Sequence, residues 1–233
     1  MKISVIALLA AVLAVPSVSP AADITGVITF KGTPPAEKEI TPLEDDATCG
    51  ALHPDDKPTT HFYVVSPKGE LADVIVSLNL TGKSTGASAS SVVLDQKGCL
   101  YVPTIMAVQT GQKIIVKNSD PCIHNVHTVS QNDNATHNDA QMPGGADLTY
   151  TFDKPEDFLK FQCDVHPWMF AWVTVEDSPY FALSGKDGKF TIKNVPPGKY
   201  TITARHRKLG VQTLAVEVKD SDVTVNFPAF EVK

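Results

Sequence analysis

Apolar residues along this chain recur in short alternating runs, bounded by Gly, Pro, Asn and Asp, with no sustained helical period. The pattern predicts strands at 24–30, 62–65, 73–80, 112–117, 148–152, 158–163, 172–175, 189–192, 200–204, 213–218 and 223–227. So many short strands with turn residues between them imply an all-β fold of the sandwich kind. The Ser-, Gly- and Ala-rich stretch 81–91 reads as a flexible connection, and no repeat of solenoid period is present.

One apolar run breaks the pattern. Lys2, the stretch Ile3–Val15 and the small residues ending Ser19-Pro20-Ala21 have the layout of a secretory signal, residues 1–21, cleaved after Ala21. The stretch is shorter than the ~20 residues needed to span a bilayer, and no later segment is apolar enough. The mature chain is therefore expected in the periplasm or otherwise secreted, with no stable membrane insertion. A formal net charge of −6 gives no electrostatic reason to bind nucleic acid. Four cysteines in an exported chain ordinarily make two disulfides.

The two ends of the chain belong together. Ile24-Thr-Gly-Val-Ile-Thr-Phe-Lys-Gly-Thr-Pro-Pro35 and Ala72-Asp-Val-Ile-Val-Ser-Leu78 resemble the opening strands of carboxypeptidase-regulatory-like (transthyretin-like) sandwiches. Gly185-Lys-Asp-Gly-Lys-Phe-Thr-Ile192 and Asn194-Val-Pro-Pro-Gly-Lys-Tyr-Thr-Ile-Thr-Ala204 resemble the rest of that pattern, with turns expected at Asp187-Gly188 and Pro197-Gly198. The implied organisation is a discontinuous outer sandwich, 22–83 plus 179–233, with a second domain inserted at 84–178; one enlarged sandwich is the alternative.

The insert carries the candidate chemistry. Phe161-Gln-Cys163-Asp-Val-His166-Pro-Trp-Met169 packs a thiolate, an imidazole and a thioether into one loop after a strand, and Cys122-Ile-His124-Asn-Val-His127 supplies imidazoles upstream. Two His, one Cys and a weak axial Met form a copper set, since sulfur favours Cu(I) and imidazole suits both oxidation states. The segment from about Met106 to Val175 resembles the cupredoxins, specifically the amicyanin and plastocyanin-like blue copper proteins with a C-x-x-H-P-x-M loop. The resemblance implies a Greek-key sandwich and one type 1 copper ion held by His124, Cys163, His166 and Met169. It further implies that Asn118 braces the ligand loop, that the Asn125 amide donates to the Cys163 sulfur, and that His166 exposes a ring edge beside Pro167 and Trp168. Leu94-Asp-Gln-Lys-Gly-Cys99 with Tyr101-Val-Pro103 resembles proteins labelled methylamine-utilisation-like.

With those ligands assigned, Cys49 and Cys99, each beside a Gly and outside the copper loops, are the natural disulfide pair. Such a bridge is worth about 4 kcal/mol in the chain-entropy model. Cys122 is then a buried free thiol, although its place two residues before His124 would let it approach the metal. His127 falls on the opposite strand face from His124 and reads as structural. The expected function is single-electron transfer between redox partner proteins. The alternatives are a copper chaperone or store, and a carbohydrate or surface interaction module with a structural metal site. No enzyme is expected, since the chain lacks the H-x-H motifs of additional copper centres.

Overall fold

A computed structural model of the chain describes residues 21–232. The expected signal at 1–21 lies outside them except for Ala21. The fold is nearly all β. In chain order its strands are β1 (Ala22–Val27), β2 (Ile75–Leu78), β3 (Val92–Gln96), β4 (Tyr101–Val102), β5 (Ile105–Gln109), β6 (Ile114–Asn118), β7 (His124–Val129) and β8 (Asn138–Gln141). They continue with β9 (Leu148–Tyr150), β10 (Glu156–Gln162), β11 (Phe170–Glu176), β12 (Phe181–Leu183), β13 (Lys189–Val195), β14 (Gly198–His206), β15 (Gly210–Val218) and β16 (Val223–Thr224).

These strands surround two hydrophobic cores. One lies between the sheets β13-β1-β16 and β12-β2-β14-β15, and is filled by Ile24, Ile28, Val76, Phe190, Ile192, Ile202 and Phe227 among others. Its strands come from both ends of the chain: β1 pairs antiparallel with β13 and parallel with β16. The other core lies between β5-β11-β10-β7-β8 and β4-β3-β6-β9, where Leu94, Ile114 and Val116 of one sheet meet Val126, Leu159, Phe161 and Val173 of the other. Here β3 runs parallel to β6 and β5 parallel to β11, so long crossovers close the sandwich.

The structure departs from the sequence reading in several places. No strand forms over 62–65 beyond a single bridge, Val65 to Leu71; the Glu37 carboxylate instead accepts from the amides of Phe62 (3.1 Å) and Tyr63 (2.7 Å), a side chain doing what a neighbouring strand would do. The stretch 81–91 is ordered: Gln109 Oε1 accepts from the Thr85 amide at 2.8 Å, and Gly86 is buried where a Cβ would meet the Thr110 carbonyl at 2.1 Å. Pro197 bends the chain between β13 and β14, as the sequence predicts, without a left-handed residue at Gly198. That conformation falls on Asn194, φ 55°, whose short polar side chain tolerates it.

A short helix, α1 (Thr41–Glu44), and the turn after it belong to the outer half by position, yet Ile40, Leu43 and Cys49 pack on the insert's core. The ends of the insert meet, the Lys83 amide donating to the Asp177 carbonyl at 2.9 Å. The halves are also joined by Arg205 of β14, which pairs with the Glu176 carboxylate at the end of β11 and lies 3.0 Å from Asp157 Oδ1. Arg207 stacks on the Trp172 ring, 3.8 Å from its centroid.

Candidate metal centre

The site lies at one end of the second sandwich, where β7 begins and β10 gives way to the loop before β11. That loop is closed by its own backbone. The Met169 amide donates to the His166 carbonyl at 2.9 Å and the Cys163 amide to the Met169 carbonyl at 3.2 Å. Cys163, His166 and Met169 are thereby gathered on one short turn, and all three are buried, at 2%, 8% and 0% exposure. β7, antiparallel to β10, brings the fully buried His124 against them.

The donor atoms converge. Nδ1 of His124 lies 2.9 Å from Nδ1 of His166, and Cys163 Sγ lies 3.9 Å from the latter. One ligand atom from each of His124, Cys163 and His166 falls within a 4.8 Å cluster. Met169 packs in the same core. The amides of Asn125 and His166 point at Cys163 Sγ from 3.5 Å and 3.3 Å.

A buried carboxylate absent from the sequence reading orients this cluster. Asp120 Oδ2 lies 2.9 Å from His124 Nε2, assigning the proton to Nε2 and leaving the Nδ1 lone pair facing the cluster. Asp120 is itself fixed by the amides of Gly98 (2.6 Å) and Cys99 (2.7 Å). In the sequence it sits in Ser-Asp-Pro and reads as a turn residue; its place four positions before His124 was the only signal.

Asn118 braces the upstream loop, donating to the carbonyls of Cys122 (2.9 Å) and Gln141 (3.0 Å), and not the Cys163 loop. The latter brace is Asn125, whose Oδ1 accepts from the Asp164 amide at 2.6 Å. His127 lies outside the cluster and pairs with Asp164 at 2.8 Å. His166 does not present an open edge: the Cys49–Cys99 disulfide lies against it, and its ring is 5.2 Å from that of Trp168, whose indole donates to the Cys99 carbonyl.

The electrostatics favour a thiolate. Burial pushes the Cys163 thiol up, but its hydrogen bond with His124 and the amides of Asn125 and His166 outweigh this, and it sits below the usual thiol range. Burial works against a charged His124 as well, yet Asp120 and Cys163 raise it above the ordinary histidine value. Burial, then the charge of His124, hold His166 below that value.

Fold and site define an all-β double sandwich in which a buried Cys and two His converge at one end, with Met169 buried on the same loop. Residues 168–231 match the family described as ER membrane protein complex subunit 7, β-sandwich domain, a span just over a quarter of the chain. No curated protein matches. Among solved structures the chain is similar to a Cu-containing nitrite reductase (NirK) from Thermus scotoductus SA-01, with 18% identity and a TM-score of 0.34, over 37% of this chain and 22% of that one. It is also similar to an amicyanin variant in the Cu(I) form (20%, TM-score 0.34, 43% of this chain and 98% of that one). A purple cupredoxin from Nitrosopumilus maritimus stands at 18% and 0.32, over 38% of this chain and all of that one. Likenesses at that level carry no argument about function.

These findings correct the sequence reading. The family match is to a subunit of a membrane protein complex, and the likeness to copper proteins is weak and partial. Membership of the cupredoxins, the methylamine-utilisation-like label, the electron-carrier role with redox partner proteins, and the alternatives of periplasmic copper chaperone and glycan module are therefore withdrawn. The periplasm and the expected absence of stable membrane insertion are withdrawn with them. The physical reason is that a C-x-x-H-P-x-M loop specifies a set of donor atoms and says nothing of what the rest of the surface meets. The match is consistent with a secreted or lumenal chain and gives no support to a periplasm. Among the described residues no helix is long and apolar enough to cross a membrane.

Proposed function

We propose that this chain is a secretory-pathway β-sandwich protein that holds one copper ion on His124, Cys163, His166 and Met169. The observation that supports the reading most directly is the buried convergence of His124, Cys163 and His166 with the His124 lone pair aimed inward by Asp120. Thiolate with thioether selects copper over zinc, which prefers thiolate, imidazole and carboxylate. Four protein donors leave no position for a substrate, so the role is binding and not catalysis. The test is native mass spectrometry after exposure to Cu(I) and, separately, Zn(II). One tightly held copper in the parent and loss of retention in C163S, with circular dichroism unchanged, are expected. Failure of the parent to retain copper, or equal retention of zinc, overturns the reading.

The match over residues 168–231 favours a second element of function: the outer sandwich as a module that docks on a membrane-bound assembly. Recovery of the full chain in the membrane fraction, released by detergent with partner subunits, supports this. Quantitative recovery in the soluble fraction without partners overturns it.

A further inference from the structure

One sheet edge is left unguarded. Each of the four sheets ends in two edge strands, and most of these are short, covered or charged. β4, β9, β12 and β16 hold two or three residues, β8 holds four, β5 is largely buried, and β13 carries Lys189 and Lys193. β15 differs: it runs nine residues beside β14 with no Pro, no Lys, no register shift and one charge, Glu217. The direction of its backbone groups follows from the ladder. The Asn79 amide donates to the Thr201 carbonyl, so Thr201, Thr203 and Arg205 of β14 bond toward β2, and the alternate residues Tyr200, Ile202 and Ala204 bond toward Val216, Leu214 and Gln212 of β15. The amides and carbonyls of Val211, Thr213, Ala215 and Glu217 therefore point out of the sheet, and among the described residues they meet no hydrogen-bond partner. On the core side of the same strand Leu214 packs against the first core but is only half-buried.

From this geometry we propose that β15 pairs antiparallel with β15 of a second copy of the chain, about a two-fold axis at Leu214. That register sets Val211 opposite Glu217 and Thr213 opposite Ala215, so every outward amide and carbonyl of one strand meets its counterpart on the other. Two four-stranded sheets become one. Leu214 faces its own copy, and the two half-covered side chains complete each other's burial. Charge selects this arrangement over a parallel one. Arg207 and Lys208 precede the strand, Lys208 staying exposed beside the Phe62 ring, while Glu217, Asp220 and Asp222, with Lys219 among them, lie at its far end. Antiparallel pairing brings the cationic end of each copy to the acidic end of the other, whereas parallel pairing in register sets Glu217 against Glu217. The inference rests on the strand and its two ends, and is independent of any bound metal.

The experiment is sedimentation equilibrium of the full chain, carried from the micromolar range to about 0.5 mM because an edge contact is a small interface. The parent is expected to dimerise. A215P removes an outward amide without touching the β14 ladder, and is expected to weaken the dimer at least about a hundredfold with circular dichroism unchanged. L214C is expected to crosslink to its own copy on mild oxidation, the linked peptide being identified by digestion without reduction. V211C is not, since its two copies lie about 20 Å apart in this register. If A215P does not fold, the L214C crosslink decides. A parent that stays monomeric throughout overturns the proposal, and so does one that takes up a strand of a different protein at this edge in place of its own copy. A dimer that a folded A215P leaves intact, or that L214C does not crosslink, overturns it equally.

Discussion

At the scale of single residues, burial forces choices of protonation that the sequence does not display. His206, 3% exposed, accepts at Nδ1 from the amides of Lys208 and Leu209, both at 3.2 Å, and so must be neutral on that nitrogen. Burial drives its pKa from 6.5 down to about 4. A depressed folded-state value means that the unfolded chain takes up the proton first. Stability is then fully present above about pH 6.5 and lost as the pH falls toward 4, by on the order of 3 kcal/mol. Urea midpoints at pH 7 and pH 4.5 check this: the parent should lose that increment and H206Q, whose amide does not titrate, should not.

At the scale of elements, turn residues fix where strands meet. Gly188, φ 68°, closes the turn before β13, donating to the Gly185 carbonyl at 2.8 Å, while its own carbonyl accepts from Ile28 at 2.8 Å. A Cβ there would meet the Ile28 carbonyl at 2.4 Å. G188A should cost about 2–3 kcal/mol through both the left-handed backbone and the clash, measured by urea denaturation. This turn was legible as Asp187-Gly188, as were the strands whose apolar residues alternate, such as β13 with Phe190 and Ile192 buried between exposed neighbours. Other elements were not. β8, Asn138–Gln141, exposes three of its four residues and is held by pairing with β7, which leaves no apolar signal. β3 and β5 are apolar but owe their places to parallel pairing across long crossovers, information that no local period contains. The Cys163–Met169 loop was legible because its candidate donors fall within seven residues of sequence. Asp120 was not, since its importance arises only when folding buries it beside His124.

Across the whole molecule, the two sandwiches are coupled by a charge taken out of water. Burial raises the Glu176 carboxyl above its usual range, and Arg205 opposes that shift as its buried partner. Removing the guanidinium alone strands the carboxylate. R205M should therefore destabilise by roughly 3–5 kcal/mol, and R205M with E176Q should recover much of the loss. Scanning calorimetry is the check. A double variant no better than R205M would show that Arg205 acts through packing and not through charge.

The meeting of Lys83 with Asp177 has a consequence in time. During synthesis the strands β3 to β11 are complete before β13, β14 and β15 exist, whereas β1 and β2 must wait for those partners. Once the middle of the chain has folded, its two ends emerge side by side, and what was a long open loop behaves as a short hinge. The entropy of bringing distant strands together is thereby spent in advance, within a unit that has its own core. Until the final strands arrive, β1 and β2 are unpaired apolar edges. The interval between completion of the insert and release of the C-terminus is the chain's window of vulnerability to aggregation and to holding chaperones.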